Sequence, residues 1–304
     1  MTTLNSYNSQ SFRSRLLRTA FYIFKRFIKL KAPSQAYRLK KRSDRPVPPV
    51  SLLRGINAHS HKLCGRNVFS LSPARTKSQK KLIFFHGGGY VLNFSYFHWK
   101  LITRLVKMTG YTIIAPDYPL LPAIYKERLN MGLQLYRDLL KKDDAADIVF
   151  MGDSSGGNLA LSLAQLLAHE GMPQPAQIIL LSPWLDVTMS NPAIHAIGKH
   201  DPVLSAGDNT LGKLHAGDRD LTDYLVSPLY GSLKDLGKLS LFTGTDDILN
   251  PDARLLYSKA KAEDTPLNFF EYEHMIHDWI LFPIPEASHA FKQIVQLLSN
   301  NNFT

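Results

Sequence analysis

A single cysteine, Cys64, among 304 residues leaves no partner for an internal disulfide, so a reducing, cytoplasmic setting is expected. No apolar run reaches the roughly 18 residues a spanning helix needs. No repeat period or low-complexity tract is present. Nucleotide-binding glycine fingerprints are missing too, and His59 and His61 have no evident third ligand. No metal and no cofactor is therefore expected. Acidic residues are scarce: 25 Asp and Glu stand against 36 Lys and Arg, a net charge of +11. The deficit is local. Between residues 13 and 45, twelve Lys and Arg face Asp44 alone, so this segment carries the whole imbalance. A charge excess so confined speaks of a surface or a partner rather than of the main domain.

What is present begins with that segment. Residues 1–12 are polar and expected to be disordered. From Arg13 to Lys31 the apolar residues Leu16, Leu17, Ala20, Phe21, Ile23, Phe24, Phe27 and Ile28 share one helical face, opposite Arg15, Arg18, Lys25, Arg26 and Lys29. No small-residue cleavage site follows, which argues against a signal peptide. The helix could lie on an anionic membrane or pack on the rest of the chain. A nucleic-acid partner has no supporting motif. Pro33 through Pro49 reads as a basic linker.

The chain is organised around Gly152-Asp153-Ser154-Ser155-Gly156-Gly157. Asp147–Met151 before it reads as a buried strand, and Asn158–His169 after it as a helix. Strand, glycine turn and helix is the setting in which G-x-S-x-G becomes a nucleophile elbow, lifting Ser154 above a sheet. Gly152 and Gly156 keep side chains out of that corner. Upstream, His86-Gly87-Gly88-Gly89 follows the apolar strand Leu82–Phe85. Consecutive glycines let backbone N–H groups approach a tetrahedral oxyanion, where each donor is worth roughly 3 kcal/mol.

The remainder alternates. A meander of short strands is predicted over Leu52–Leu71. Phe97–Met108, Ile124–Lys142 and Glu286–Leu298 read as helices. Tyr111–Ala115, Gln177–Leu181, Leu239–Thr243 and Leu267–Tyr272 read as strands. This pattern predicts an α/β fold with a mostly parallel sheet covered on both faces. It breaks between Trp184 and Lys238.

With these motifs in this order, the sequence from about Leu63 onward resembles the hormone-sensitive-lipase-like carboxylesterases of the α/β-hydrolase superfamily. The resemblance implies an α/β-hydrolase fold with a helical cap. Residues 51–304 would be the catalytic domain, with the cap insertion around 185–238 after a sixth strand. Residues 1–50 would contribute the basic helix and linker to that cap. Ser155 stands where the family usually has alanine; only its N–H is needed, beside those of Gly88 and Gly89, for an oxyanion hole. His86 and Gly87 would support that loop. Trp184 either packs at a strand end or lines the pocket.

A serine hydroxyl needs an imidazole to take its proton, and the imidazole needs a carboxylate to hold its tautomer. In this superfamily the order is serine, acid, histidine. His274, His277 and His289 are the histidines late enough. The resemblance favours His277, in His277-Asp278-Trp279, although Asp278 sits where glycine is frequent. It favours Asp247 over Asp246 as the acid, from its register with Leu249; Asp252 reads as an early-helix residue. The activity implied is hydrolysis of short- to medium-chain acyl or acetyl esters. The expected partner is a small-molecule ester, with no nucleic acid. Peripheral membrane contact through residues 13–31 and a homodimer stay open. The rivals are a serine peptidase or amidase of the same fold and a non-catalytic binding protein on an esterase scaffold.

Overall fold

The computed structural model describes residues 2–29, 41–75, 78–199, 201–206 and 209–299, with the side chains of Ile28 and Lys29 outside that description. Lys31, Pro33, Arg38 and Lys40 of the basic segment also lie outside the described residues. Among the described residues, nine strands form one sheet: β1 (Thr3–Tyr7), β2 (Ile56–Leu63), β3 (Arg66–Pro73), β4 (Lys81–Phe85), β5 (Thr112–Pro116), β6 (Ile148–Asp153), β7 (Gln177–Leu181), β8 (Lys238–Gly244) and β9 (Leu267–Tyr272). Their order is β1-β9-β8-β7-β6-β4-β5-β3-β2. The β2–β3 and β3–β5 pairings are antiparallel, and the other strand pairings in this order are parallel.

The helices are α1 (Phe12–Lys29), α2 (Tyr96–Thr109), α3 (Tyr125–Leu140), α4 (Ser154–His169), α5 (Ala193–Gly198), α6 (Thr210–Ala216), α7 (Asn250–Ala262) and α8 (Pro285–Ser299). Strand alternation sorts the core into two halves. Leu82 and Phe84 of β4 pack on the face covered by α2 and α8, whereas Ile83 and Phe85 pack on the face of α3 and α4. Each large apolar side chain so buried contributes roughly 2 kcal/mol. This is the α/β-hydrolase fold, with helices on both faces and the helical pieces α5 and α6 inserted between β7 and β8.

Four expectations are corrected. Residues 1–12 are not disordered as a whole: Thr3–Tyr7 adds to the sheet as an edge strand, parallel to β9. An edge strand offers a row of unpaired backbone groups, and pairing with it needs no apolar pattern in the partner. Tyr7 then stacks on His289 at 4.8 Å between ring centroids. With β1 counted, the insertion follows the seventh strand rather than the sixth. The predicted meander is a single hairpin of β2 and β3, because Cys64 (φ 49°) and Gly65 (φ 73°) both take the left-handed conformation of a tight two-residue turn.

The fourth correction concerns α1. Its inner side is not the apolar stripe but a mixed one. Ser14 is buried, Leu17, Arg18, Phe21 and Lys25 are half-buried, and Phe12, Leu16, Ile23, Phe24 and Phe27 are exposed. Polar ties set this orientation. The Glu286 carboxylate accepts hydrogen bonds from the Ser11 and Ser14 hydroxyls at 3.0 and 3.2 Å. Arg18 pairs with Asp246 at 2.7 Å, and Lys25 Nζ donates to the carbonyls of Asp201 (2.7 Å) and Leu204.

Candidate active site

β6 ends at Asp153 and α4 begins at once with Ser154, earlier than the predicted Asn158. Ser154 takes φ 49°, a left-handed conformation that costs a non-glycine residue about 1–2 kcal/mol. Packing enforces it. A Cβ on Gly152 would lie 2.3 Å from the Gly156 carbonyl oxygen, and one on Gly156 would lie 2.0 Å from that of Phe85. The N–H of Trp184 donates to the Ser154 carbonyl at 2.9 Å. The Trp184 side chain is buried, with its indole N–H on Met189 Sδ at 3.2 Å, so it packs at the strand end.

Loops following β8 and β9 bring the other two residues to the elbow. His277 Nε2 is 2.9 Å from Ser154 Oγ, and His277 Nδ1 is 2.9 Å from Asp247 Oδ2. The carboxylate can only accept, so Nδ1 donates and Nε2 is left to accept the serine proton. Asp247 is fully buried and its other oxygen accepts the Leu249 N–H at 2.9 Å. The alternatives lie elsewhere. Asp246 faces Arg18, and the half-exposed His274 ring is 3.9 Å from Asp246. His289 meets the Tyr272 hydroxyl at 2.7 Å. Asp252 is buried in the first turn of α7, where it accepts from Asn191 Nδ2 at 2.8 Å; burial pushes its carboxyl up to about 6.

Asp278 is the unusual neighbour. It takes φ 53°, and its Oδ2 is 3.2 Å from His277 Nε2, the nitrogen that also faces Ser154. Burial pushes the Asp278 carboxyl up to about 6, partly offset by the His277 cation. Burial alone would lower His277. The carboxylates of Asp247 and Asp278 outweigh it and hold the imidazole well above the usual histidine range.

The glycine loop is braced from behind. Gly88 and Gly89 have φ 118° and 62°, which side chains rarely adopt, and a Cβ on Gly88 would sit 2.9 Å from Leu92 atoms. The buried His86 ring stacks on Tyr118 at 4.3 Å, and the Tyr118 hydroxyl donates to the His86 carbonyl. Burial, with His98 nearby, pushes His86 down to about 3, so the ring is neutral. Its Nδ1–H donates to the Gly87 carbonyl at 2.7 Å. Among the described residues, no protein acceptor takes the N–H of Gly88, Gly89 or Ser155. The first-turn position of Ser155 in α4 leaves its N–H without an intrahelical acceptor.

Some contributing residues escape the motifs. His98 Nε2 meets Asp153 Oδ2 at 3.0 Å, both buried, directly beneath the elbow. Burial would lower His98, but the Asp153 carboxylate outweighs it and raises the ring above its ordinary value. Ser95-x-x-His98 spacing at a helix start was the one available signal. Asp201 accepts from the Val203, Leu204 and Ile248 N–H groups at 2.7, 2.9 and 3.0 Å, tying the insertion to the loop that carries Asp247. Burial, then Asp247, raises its carboxyl. Asn158 accepts from the Tyr90 hydroxyl and donates to the Trp184 and Val226 carbonyls, each at 2.8 Å. His59 and His61 lie on the exposed strand β2. Among the described residues, no three His, Cys, Asp or Glu are grouped to hold a metal ion.

Known proteins share this fold. Residues 82–281 match the family described as α/β-hydrolase fold. A triacylglycerol lipase of Mycobacterium tuberculosis is 31% identical over 83% of this chain, which spans only 54% of that protein. An esterase of Acinetobacter venetianus is 33% identical over 73% of this chain and 76% of its own length. A hormone-sensitive lipase structure from a metagenome library superposes with a TM-score of 0.81, covering 97% of this chain and 99% of that one. At 23% identity, that last likeness is one of fold. The chain belongs to the α/β-hydrolase fold family, where it is similar to proteins named esterase and lipase.

Proposed function

We propose that the chain is a carboxylic-ester hydrolase with Ser154 as nucleophile, His277 as base and Asp247 as the group that orients it. Ser154 Oγ attacks the ester carbonyl carbon while His277 Nε2 takes the hydroxyl proton. The carbonyl π electrons move onto oxygen, and the N–H groups of Gly88, Gly89 and Ser155 receive the oxyanion. Collapse breaks the ester C–O bond, and the leaving alkoxide takes the proton from His277 Nε2 and departs as alcohol. Water then gives its proton to the same nitrogen, attacks the acyl-serine, and the second collapse returns the proton to Ser154 Oγ and releases the acid. His86 and Gly87 hold the oxyanion loop, and no metal or cofactor enters any step.

The observation that carries this reading is the pair of 2.9 Å contacts made by the two nitrogens of one buried imidazole. Residues 185–238 together with α1 form the cap over the catalytic domain, a grouping supported by the tie of Lys25 to the Asp201 carbonyl, while the Asp201 carboxylate joins the cap to Ile248. Short- to medium-chain acyl or acetyl esters are the substrate class, in line with the resemblance to carboxylesterases. The test is labelling with a fluorophosphonate, followed by nitrophenyl esters of increasing acyl length. Ser154→Ala should abolish both labelling and turnover, a loss of roughly 10⁴–10⁶. Retention of a tenth of the wild-type rate would sink the assignment, and labelling without ester turnover would point to a peptidase or amidase.

A further inference from the structure

The outer side of α1 is an apolar ridge that nothing in the described chain covers. Phe12, Leu16 and Ile23 recur at spacings of four and seven, so they form one stripe along the helix. Phe12, Leu16 and Ile23 are 77, 60 and 67% exposed, and Phe24 beside them is also exposed. A monomeric protein rarely leaves such a contiguous patch to water. The helix is not loosely attached. Its opposite side is tied by Arg18 to Asp246, by Lys25 to the 201–204 loop, and by Phe21 edge-on to Phe282 at 5.1 Å. The ridge is therefore presented outward by a helix anchored to the body.

Cations flank the ridge. Arg13, Arg15 and Arg26 are exposed on its two margins. Beside Arg13 opens a groove of about 530 Å³ whose apolar lining includes Phe282, Ile284 and Phe291, with Lys100 and Arg104 at its rim. Arg104 lies over the Phe291 ring at 3.8 Å. Among the described residues, none of Arg13, Lys100 and Arg104 is paired with a carboxylate. The whole net charge of the chain resides in residues 13–45, on and just after this helix.

We propose that the outer face of α1, with the basic groove next to it, docks on the surface of an anionic phospholipid bilayer. Charge selects this occupant. A second copy of the chain would bring an equally cationic face, whereas an anionic lipid surface neutralises it and receives the apolar ridge at the headgroup boundary. The inference is independent of the reaction at Ser154.

Sedimentation of the full chain with vesicles tests it, using phosphatidylcholine alone and phosphatidylcholine with about one third phosphatidylglycerol. The chain should pellet with the anionic vesicles and stay in solution with the neutral ones. Binding should weaken as salt rises, because charges are screened beyond about 10 Å at 0.1 M. Leu16→Ser with Ile23→Ser, and separately Arg13→Gln with Arg26→Gln, should each lower vesicle affinity roughly tenfold. Both double variants should turn over a soluble nitrophenyl ester at the wild-type rate, which reports that they fold. Absence of pelleting, or pelleting untouched by both variants, would overturn the proposal. So would a dimer on gel filtration that the Leu16 and Ile23 changes dissociate, since the ridge would then be an interface between copies.

Discussion

Asp278 and Ser154 face the same nitrogen of His277, the carboxylate at 3.2 Å and the hydroxyl at 2.9 Å. An ionised Asp278 thus stabilises the imidazolium, the form that cannot accept a proton from serine. The acid limb of kcat/KM follows the loss of that proton. Because Asp278 raises His277, removing its charge lowers the imidazole and moves the limb to lower pH. Asp278→Gly suits the left-handed backbone there and should shift the half-maximal point to lower pH. A pH profile on a soluble ester checks this; an unmoved limb, or one moved upward, would separate Asp278 from the titration.

Asp247→Asn and Asp246→Asn should differ sharply. An amide at 247 cannot hold Nδ1–H as a carboxylate does, and a loss of about 10⁴ in kcat is expected from an imidazole in the wrong tautomer. At 246 the change weakens a partly exposed pair with Arg18, worth no more than about 1 kcal/mol, and turnover should stay within a few-fold. Equal losses in steady-state kinetics would move the acid by one residue.

His98→Gln tests the support under the elbow. Its ring is raised in the folded protein from the ordinary 6.5, so the pair with Asp153 stabilises the fold fully below pH 6.5. That contribution fades as pH rises through the folded value. Urea unfolding of wild type and variant should therefore show a gap that is widest below pH 6.5 and narrows as pH rises above it. A gap that widened with pH would contradict an ion pair at this position.

The parts legible in the sequence were those whose geometry is set by neighbours in the chain. The triglycine loop and Gly152 through Gly157 stand in sequence as they stand in space, and β4, β7 and β9 lie within a residue of their predicted bounds. What was hidden depends on partners far along the chain. Thr3–Tyr7 has no strand pattern of its own and is a strand because β9 has a free edge. α1 shows its amphipathic period plainly, but ion pairs and hydrogen bonds to Asp246, Asp201 and Glu286 decide which side turns inward. His98 reads as one helix residue among others until Asp153 is placed beside it.

The pairing of β1 with β9 also sets a schedule for making the molecule. Thr3 Oγ1 donates to Asn268 Oδ1 across 265 residues of chain. During synthesis β1 leaves the ribosome long before its template exists, and it stays unpaired until the strand leading to His277 has been made. The sheet edge beside the loop that carries His277 is thus closed late, by a segment made well before its template. A nascent chain halted before Leu267 should leave residues 3–7 open to proteolysis, and protection should arrive together with activity.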